Sequence, residues 1–271
     1  LTYLLGNQFM AEDNFDRGIL VVDDILNKEE CINLIALADK KGWKMSPVSG
    51  GGHGRTGRED PRTNKFCVYT NTEFSIELWK KVAIHVPDNP VFLGPSPHHR
   101  KNTGKPEGSE WTAIGLCDRI RTYKYDKGDV FPEHLDYKML RYVVRNGVKY
   151  LQHSFLTLLI YLNGFPDFIE GVTGYWPDHK GIHCRYKRDS EKLSSVKDHQ
   201  LIVTPKIGRI VLQGQDILHE GTAPQKGTKY IIRTDVMYER VAFQIKGEDY
   251  SKDSIGEWQR QFESSCKNYA D

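Results

Sequence analysis

Residues 121–136 read Arg121-Thr-Tyr-Lys-Tyr-Asp-Lys-Gly-Asp-Val-Phe-Pro-Glu-His-Leu-Asp136 and end with an imidazole and a carboxylate two residues apart, at His134 and Asp136. In an extended segment, residues i and i+2 point to the same side, so one metal ion can contact both side chains. A second histidine, His219, lies much further along the chain, in Asp216-Ile-Leu-His-Glu-Gly221. The His-x-Asp spacing is a weak signal alone, because ten histidines give it several chances to arise by accident.

Two histidines and one carboxylate on one side of an ion, with the other coordination positions open, form the ligand set of non-haem Fe(II) oxygenases. The three residues therefore predict an iron site. A metal-dependent hydrolase would need another pattern, such as His-Glu-x-x-His, and the sequence contains none. His179, His183 and Cys184 lack a fourth ligand at usable spacing, so a surface loop is the better interpretation of that cluster.

The composition is typical of a soluble globular protein with one large domain. Hydrophobic residues make up 38% and charged residues 27% of the 271 residues, and the formal net charge is +2. This balance gives no reason to expect nucleic acid or an anionic membrane as a partner. The longest apolar run, Phe155–Leu162, is too short to span a bilayer. The sequence leaves the oligomeric state open.

The cysteines indicate a reducing environment. All five are scattered, without a Cys-x-x-Cys pair, and no Asn-x-Ser/Thr sequon occurs. Reduced thiols in an intracellular, cytoplasmic setting are therefore the expectation. Because the chain does not begin with Met, a removed targeting segment stays an open alternative.

The order of local patterns predicts helices first and strands afterwards. Asn27 to Glu30 and Thr70 to Glu73 are capping-box patterns that start helices. From about residue 111 the pattern changes to short strands with period-two alternation. We expect an α+β fold, a double-stranded β-helix (jelly-roll) core with N-terminal helices packed on one side. The expected divisions are an arm at 1–17, one domain at 18–246 with a helical layer at 18–110 and a jelly-roll core at 111–246, and a helical tail at 247–271.

Four segments carry more specific expectations. Residues 154–162 read as a strand buried on both sides. Residues 201–204 and 209–213, joined by a turn, are predicted to form a hairpin. A glycine-rich loop at 48–57 and a polar excursion at 177–200 could close over a small ligand.

The match to a known family covers about residues 18–240. The segments that carry it are Gly115–Asp136, Leu156-Thr-Leu-Leu-Ile-Tyr-Leu-Asn163, Val203-Thr-Pro-Lys-Ile-Gly208, Leu218-His-Glu-Gly221 and Gly227-Thr-Lys-Tyr-Ile-Ile-Arg-Thr-Asp-Val-Met-Tyr238. In this order they resemble the prolyl 4-hydroxylase-like family of Fe(II)/2-oxoglutarate-dependent dioxygenases. The resemblance implies an oxidoreductase that uses Fe(II), 2-oxoglutarate as cosubstrate and O2, with ascorbate as a candidate reductant.

The resemblance also implies roles for single residues. The catalytic metal ligands would be His134, Asp136 and His219. Lys229 matches the family's basic residue that pairs with the distal carboxylate of 2-oxoglutarate, and a dianion entering a partly desolvated barrel needs such a fixed cation. Tyr161 matches a tyrosine of the family whose hydroxyl helps to hold the same carboxylate. Tyr125 matches a tyrosine near the metal end, and Thr173 matches a threonine that lines the pocket. Each tyrosine taken alone is typical of a core aromatic.

Two arginines and a glutamine near these positions have open roles. Arg233 shares the inward face with Lys229, so either could bind the distal carboxylate. A contact with the substrate, or a buried ion pair with an acidic core residue, is the alternative for Arg233, and Arg121 poses the same question on the opposite wall. Gln213 stands where relatives commonly carry an aromatic residue, and its parity with His219 aims it inward. Arg121 and Gln213 are the candidates for substrate contact.

The substrate side departs from the family pattern. The family's Gly-Gly-Glu-Thr turn appears here as Glu170-Gly-Val-Thr173. Three features argue against prolyl peptide hydroxylation, namely this turn, Gln213 and the long polar excursion. They do not affect the predicted iron site. The expected reaction is oxidation of an unactivated C–H bond, with hydroxylation as the default outcome. The alternatives are desaturation or oxidative cyclisation of a small amino-acid derivative, prolyl hydroxylation of a peptide or protein, and a catalytically inactive jelly-roll binding module.

The inward cations favour a small-molecule substrate over a peptide. Arg121, Arg233 and Lys229, together with Gln213, supply more positive charge than 2-oxoglutarate alone should require. A buried cation without a partner is costly, so we expect a second anion. The hypothesis is a small carboxylate-bearing substrate such as a modified amino acid.

Overall fold

A computed structural model describes residues 18–45, 62–87, 111–145, 148–177 and 199–241. Four of the segments that the sequence singles out lie outside the described residues, wholly or almost so. They are the N-terminal arm, the glycine-rich loop, the polar excursion and the C-terminal tail. The expectations for these segments stay predictions.

The described residues form two α-helices and many short strands. The helices are α1 (Lys28–Lys41) and α2 (Thr72–Val82). The strands are β1 (Ile19–Val22), β2 (Lys44–Met45), β3 (Lys65–Thr70), β4 (Thr112–Leu116), β5 (Arg119–Tyr125), β6 (Phe131–His134), β7 (Leu140–Arg145), β8 (Val148–Tyr161), β9 (Phe168–Glu170), β10 (Thr173–Trp176), β11 (Leu201–Val203), β12 (Ile210–Gly214), β13 (Leu218–Gly221), β14 (Pro224–Gly227) and β15 (Lys229–Val241).

The strands assemble into a large and a small antiparallel sheet. The nine-stranded sheet has the order β1-β12-β8-β15-β5-β3-β2, with β4 beside β15 and β7 beside β8. The four-stranded sheet has the order β11-β10-β13-β6, and β9 and β14 form a separate pair. Antiparallel strands divided between two packed sheets are the architecture of a jelly roll. The described part of the chain is therefore mostly strand, with few helices.

The two helices begin with side-chain caps. The Asn27 side chain accepts a hydrogen bond from the N–H of Glu30, which confirms the first capping box. The second helix is capped by Asn71 rather than by Thr70, and its side chain accepts from the N–H of Phe74. Apolar residues of both helices share one cluster with inner strands of the large sheet.

The helical layer expected at 18–110 is only partly helical. Strand β1 pairs with β12, and β3 pairs with β5, so both belong to the large sheet. These short segments form strands because they pair with strands that lie much further along the chain. The division between a helical layer and a strand core at residue 111 is therefore not observed.

The predicted hairpin at 201–213 does not form. Strand β11 pairs with β10 in the small sheet, whereas β12 lies between β1 and β8 in the large sheet. The connecting turn crosses from one sheet to the other and ends at Gly208, whose φ is +75°. A Cβ atom at Gly208 would collide with the carbonyl oxygen of Leu26, so glycine is required by both space and conformation.

Strand β8 is buried on both faces, as its continuous apolar run predicts. Leu156, Leu158 and Ile160 pack on the helix side of the sheet. Leu159 and Tyr161 point to the other side and belong to the cluster between the two sheets. The site residues line this second, inner side.

Two further findings concern the described residues. The cysteines Cys31, Cys67 and Cys117 are buried free thiols. No helix in the described ranges is long and apolar enough to cross a membrane.

Candidate metal and cosubstrate site

Three potential metal ligands converge where β6 meets β13. His134 on β6 is the register partner of His219 on β13, and Asp136 follows two residues after His134. One ligand atom from each residue lies within 4.8 Å of the other two. His134 Nε2 is 3.9 Å from Asp136 Oδ1, and His219 Nε2 is 3.7 Å from Asp136 Oδ2. The structure brings together the three residues that the sequence selected.

Both imidazoles are held by a backbone carbonyl two residues earlier. Nδ1 of His134 lies 2.8 Å from the oxygen of Pro132, and Nδ1 of His219 lies 2.9 Å from the oxygen of Ile217. A carbonyl only accepts, so each Nδ1 donates its proton and each Nε2 keeps its lone pair for a metal. The Phe131 ring stacks on His134 with 3.7 Å between the ring centroids and fixes its plane.

Burial and neighbouring charge set the protonation of the ligands. Burial lowers the pKa of His134 to about 3, with His219 acting in the same direction, and burial also lowers the pKa of His219. Burial alone would raise the pKa of Asp136, but the charge of the Arg233 guanidinium holds that pKa below its usual range. Two neutral imidazoles and one carboxylate are the states that metal coordination requires. The donor set therefore fits Fe(II).

Gln213 on β12 lies directly against these ligands. Its Nε2 donates to Asp136 Oδ2 at 3.2 Å and is 3.1 Å from Nε2 of His219. Its Oε1 accepts a hydrogen bond of 2.7 Å from the hydroxyl of Tyr175, a buried residue of β10. Gln213 does point inward, as its parity predicts, and its contact with the substrate stays a prediction.

Lys229 opens β15 on the same inner side and is fully buried. Its Nζ donates to the carbonyl oxygens of Gly171 at 2.9 Å and Thr222 at 3.3 Å, and it lies 4.3 Å from the ring centroid of Tyr125. Among the described residues, no carboxylate lies within ion-pair distance of this ammonium. Burial lowers its pKa to about 7, although the charge of Glu220 acts in the opposite direction. A buried ammonium held by neutral groups alone leaves room for an anionic ligand.

The other expected cosubstrate residues surround the same end of β15. The hydroxyl of Tyr161 lies 2.6 Å from Oγ1 of Thr173, and both residues are buried. Tyr125 is the register partner of Lys229. A Cβ at Gly221 would come within 3.1 Å of the Tyr125 hydroxyl, so glycine makes room for it. The structure brings these side chains together, and their contacts with a cosubstrate stay predictions.

Arg233 lies at the metal end instead. Its Nη2 is 3.1 Å from Asp136 Oδ1 and 3.2 Å from Asp235 Oδ1. Nη1 of Arg121 is 3.2 Å from the other oxygen of Asp235. The buried ion pair that the sequence left open for Arg233 is therefore present. The premise that Arg121 and Arg233 lack protein partners is wrong, because both contact Asp235.

Sequence reasoning missed two members of this inner surface. Asp235 accepts hydrogen bonds from Arg121, Arg233 and Gln215, and Tyr175 orients Gln213. The signal for Asp235 was its even spacing from Lys229 on one strand, and the signal for Tyr175 was its even spacing from Thr173. That spacing assigns a face but does not name a partner.

No family model matches the chain, and no curated protein sequence matches it. The structure resembles 2-oxoglutarate oxygenases. A viral collagen prolyl hydroxylase from Paramecium bursaria Chlorella virus-1, in its 2-oxoglutarate complex, gives a TM-score of 0.42 at 17% identity, covering 83% of this chain and 97% of that chain. A Trichoplax adhaerens prolyl hydroxylase, in complex with a peptide fragment of hypoxia inducible factor, gives a TM-score of 0.46 at 15% identity, covering 81% and 83%.

Another similar structure contains a bound small molecule besides 2-oxoglutarate. HygX from Streptomyces hygroscopicus, with nickel, 2-oxoglutarate and hygromycin B bound, gives a TM-score of 0.41 at 10% identity. The match covers 88% of this chain and 89% of that chain. These likenesses are distant. Two of the three structures contain 2-oxoglutarate.

Proposed function

We propose that this chain is an Fe(II)- and 2-oxoglutarate-dependent oxygenase that oxidises an unactivated C–H bond. One observation carries the proposal. The interior between the two sheets contains both a His-Asp-His ligand set and the buried ammonium of Lys229, which has no carboxylate partner among the described residues. A catalytically inactive binding module has no use for that combination.

Each part of the site has a distinct task in this reaction. His134, Asp136 and His219 would hold the iron, which supplies dioxygen activation coupled to the oxidation of 2-oxoglutarate to succinate and carbon dioxide. Lys229 binds the distal carboxylate and thereby fixes the cosubstrate along the inner side of β15. The hydroxyl of Tyr161, which lies 2.6 Å from Oγ1 of Thr173, can donate to the same carboxylate.

The surrounding residues orient these groups and exclude water. The cluster between the sheets contains buried aromatic residues on both sides of the site, among them Tyr123, Tyr125, Tyr161 and Tyr175. Burial in this cluster strengthens the attraction between Lys229 and a carboxylate, because the local dielectric constant is low. Arg233 keeps Asp136 ionised for the metal.

Hydroxylation is the default outcome of such a reaction. Desaturation or oxidative cyclisation of an amino-acid derivative, and hydroxylation of prolyl peptides, remain the alternatives. A small carboxylate-bearing substrate is our preferred hypothesis. The pairing of Arg121 and Arg233 with Asp235 reduces the excess positive charge on which that hypothesis first rested, but does not remove it.

The cofactor requirement is tested by titration calorimetry under nitrogen. 2-Oxoglutarate is titrated into the metal-free chain and into the chain loaded with Mn(II), with glutarate as the matched ligand that lacks the keto oxygen. We expect metal to strengthen the binding of 2-oxoglutarate much more than that of glutarate. Equal effects on both ligands would contradict a metal–cosubstrate site.

Catalysis and substrate class are tested by succinate release with Fe(II) and ascorbate present. Proline-containing peptides are compared with free and N-substituted amino acids. Stimulation by a small acid and by no peptide supports the preferred hypothesis, and the reverse restores prolyl hydroxylation. If 2-oxoglutarate binds but no condition yields succinate, the chain is a binding module.

A further inference from the structure

Two arginines stand side by side at the metal end of the inner surface. Arg121 on β5 and Arg233 on β15 are direct register partners. Their side chains are 13% and 10% exposed, so both guanidinium groups are largely withdrawn from water. Like charges directly opposite each other on neighbouring strands destabilise a sheet unless anions balance them. Asp235, which contacts both, supplies one such anion.

The two guanidinium groups retain hydrogen-bonding capacity. The side chain of Arg121 makes one hydrogen bond to the described residues, from Nη1 to Asp235. The hydrogen bonds of Arg233 to Asp235 and to the carbonyl oxygen of Tyr137 both use Nη2, as does its ion pair with Asp136. Its Nε is buried and has no hydrogen-bond partner among the described residues. A buried N–H without an acceptor is costly, so the Arg233 Nε can take an acceptor from a ligand, although the Tyr123 side chain also interacts with this guanidinium.

Of the described charged side chains whose contacts are given above, Arg121, Arg233 and Lys229 are cations and Asp136 and Asp235 are carboxylates. Counted over these five side chains alone, one positive charge is left over. An Fe(II) ion and a 2-oxoglutarate dianion cancel each other. One further negative charge balances the site. A carboxylate carries one, whereas a phosphate monoester carries about 1.5 to 2 at neutral pH.

This position is separate from the cosubstrate end. Lys229 and Arg233 are four residues apart on β15, which corresponds to roughly 13 Å along a strand at about 3.3 Å per residue. Ile231 lies between them on the same face and belongs to the cluster between the sheets. Lys229 is therefore available to one anion at the start of β15. The arginine pair is available to a second anion beside the metal ligand Asp136.

A space for a small ligand lies beside residues that contact Arg233 and Asp235, although neither arginine lines it. A pocket of about 320 Å³ is lined by Asp136, Tyr137 and Gln215, together with Leu135, Lys138 and Asp216. Arg233 donates to the carbonyl oxygen of Tyr137, and Gln215 donates to Asp235. The volume is at the lower end of the range for small-molecule sites.

We propose that Arg121 and Arg233, which both donate to Asp235, form the binding site for the carboxylate of the substrate. The inference rests on the proposed oxygenase function and assigns its substrate class to small monocarboxylic acids. The guanidinium groups hold the carboxylate next to Asp136, so that a C–H bond near it faces the metal. Arg121 acts as the specificity residue, because Arg233 is also tied to a metal ligand.

The test uses the full chain loaded with Mn(II) and 2-oxoglutarate under nitrogen. Free and N-acetylated amino acids, each paired with its C-terminal amide, are screened by thermal shift and then titrated calorimetrically. We expect at least one acid to bind at least about ten-fold more tightly than its amide. Arg121→Met should reduce this ratio to near one, and Arg121→Lys should restore part of it, because lysine keeps the charge without the planar fork.

The matched control is Arg141→Met, on the edge strand β7, which should leave the ratio unchanged. The proposal is overturned if acids and amides bind equally, if no acid binds, or if Arg121→Met keeps the wild-type ratio. It is also overturned if Arg121→Met weakens 2-oxoglutarate itself, because the arginine pair then serves the cosubstrate. Failure of wild-type protein to bind 2-oxoglutarate in the loading step would instead defeat the proposed function.

Discussion

Lys229 and Arg233 lie four residues apart on one face of β15, but their surroundings differ in kind. Lys229 contacts two backbone carbonyls and the ring of Tyr125, and no carboxylate of the described residues is within ion-pair distance. Arg233 contacts the carboxylates of Asp136 and Asp235. Arg233 thus has carboxylate partners within the protein, whereas Lys229 has none among the described residues.

This difference separates a cation that is paired with carboxylates of the protein from a cation that contacts only neutral groups. A buried charge that is paired and hydrogen-bonded is stable where it is, and breaking the pair is costly. A buried charge with neutral partners is a cost to the free protein that a bound anion offsets. Substitutions at the two ends of the site should therefore act on different quantities.

The largest effect is expected from removing the metal end. Asp136→Ala and His219→Ala should each abolish succinate formation and lower metal affinity by more than the roughly 100-fold upper range of outer-shell changes, because two ligands cannot hold the ion. Metal content after dialysis and succinate release are the measurements. Asp39→Ala, at an exposed aspartate of α1, is the control. Wild-type metal content and turnover in either ligand variant would refute the assignment.

Removal of Asp235 should be the next largest effect. Asp235→Ala leaves Arg121 and Arg233 without their shared carboxylate, and breaking such a buried pair costs about 3–5 kcal/mol in the free energy of unfolding. Urea denaturation measures this quantity. Glu77→Ala breaks the exposed ion pair with Lys80 on α2 and should cost only about 0–1 kcal/mol. Equal losses in the two variants would show that burial does not distinguish these ion pairs.

Lys229→Met should separate stability from ligand binding. Without ligand, the variant should be at least as stable as the wild type, because a buried ammonium with no carboxylate partner is removed. Its affinity for 2-oxoglutarate should fall roughly ten- to a hundred-fold, with metal content retained. Arg233→Met should instead lower stability and metal content. If Arg233→Met weakens 2-oxoglutarate at full metal content and Lys229→Met does not, the two roles are reversed.

The smallest expected effect is a pH dependence that comes from Lys229 and not from Arg233. Burial lowers the pKa of Lys229 to about 7 from about 10.5. Between these values the unfolded chain binds a proton that the ligand-free folded chain does not, so the stability contribution of this group rises with pH. Because 2-oxoglutarate needs the ammonium, its affinity should fall above pH 7, by at most about ten-fold per pH unit.

Calorimetric titrations of 2-oxoglutarate between about pH 6 and 9 measure this dependence. Lys229→Arg is the matched variant, because a guanidinium stays protonated over the whole range. Its affinity should vary less with pH than that of the wild type. The same slope in both proteins would assign the titration to another group.

The sequence by itself determined the features that depend only on neighbouring residues, namely helix caps, strand burial and the side of a strand on which a residue lies. The Asn27 cap needs only a side chain and the N–H of Glu30 three residues on. The apolar run of β8 predicts burial on both faces, and the i, i+2 spacing of His134 and Asp136 places them on one side of an extended segment. The inward faces of Lys229 and Arg233 follow from the same periodicity.

Only the tertiary structure decided which partners those faces meet. Strands β11 and β12 have the local pattern of a hairpin, yet β11 pairs with β10 in the small sheet and β12 pairs with β1 and β8 in the large sheet. Likewise, even spacing puts Lys229, Arg233 and Asp235 on one face, but only the packed sheets bring Asp136 to Arg233 and leave Lys229 among carbonyls. Periodicity fixes the direction of a side chain, whereas its charge partner depends on long-range contacts that no local pattern contains.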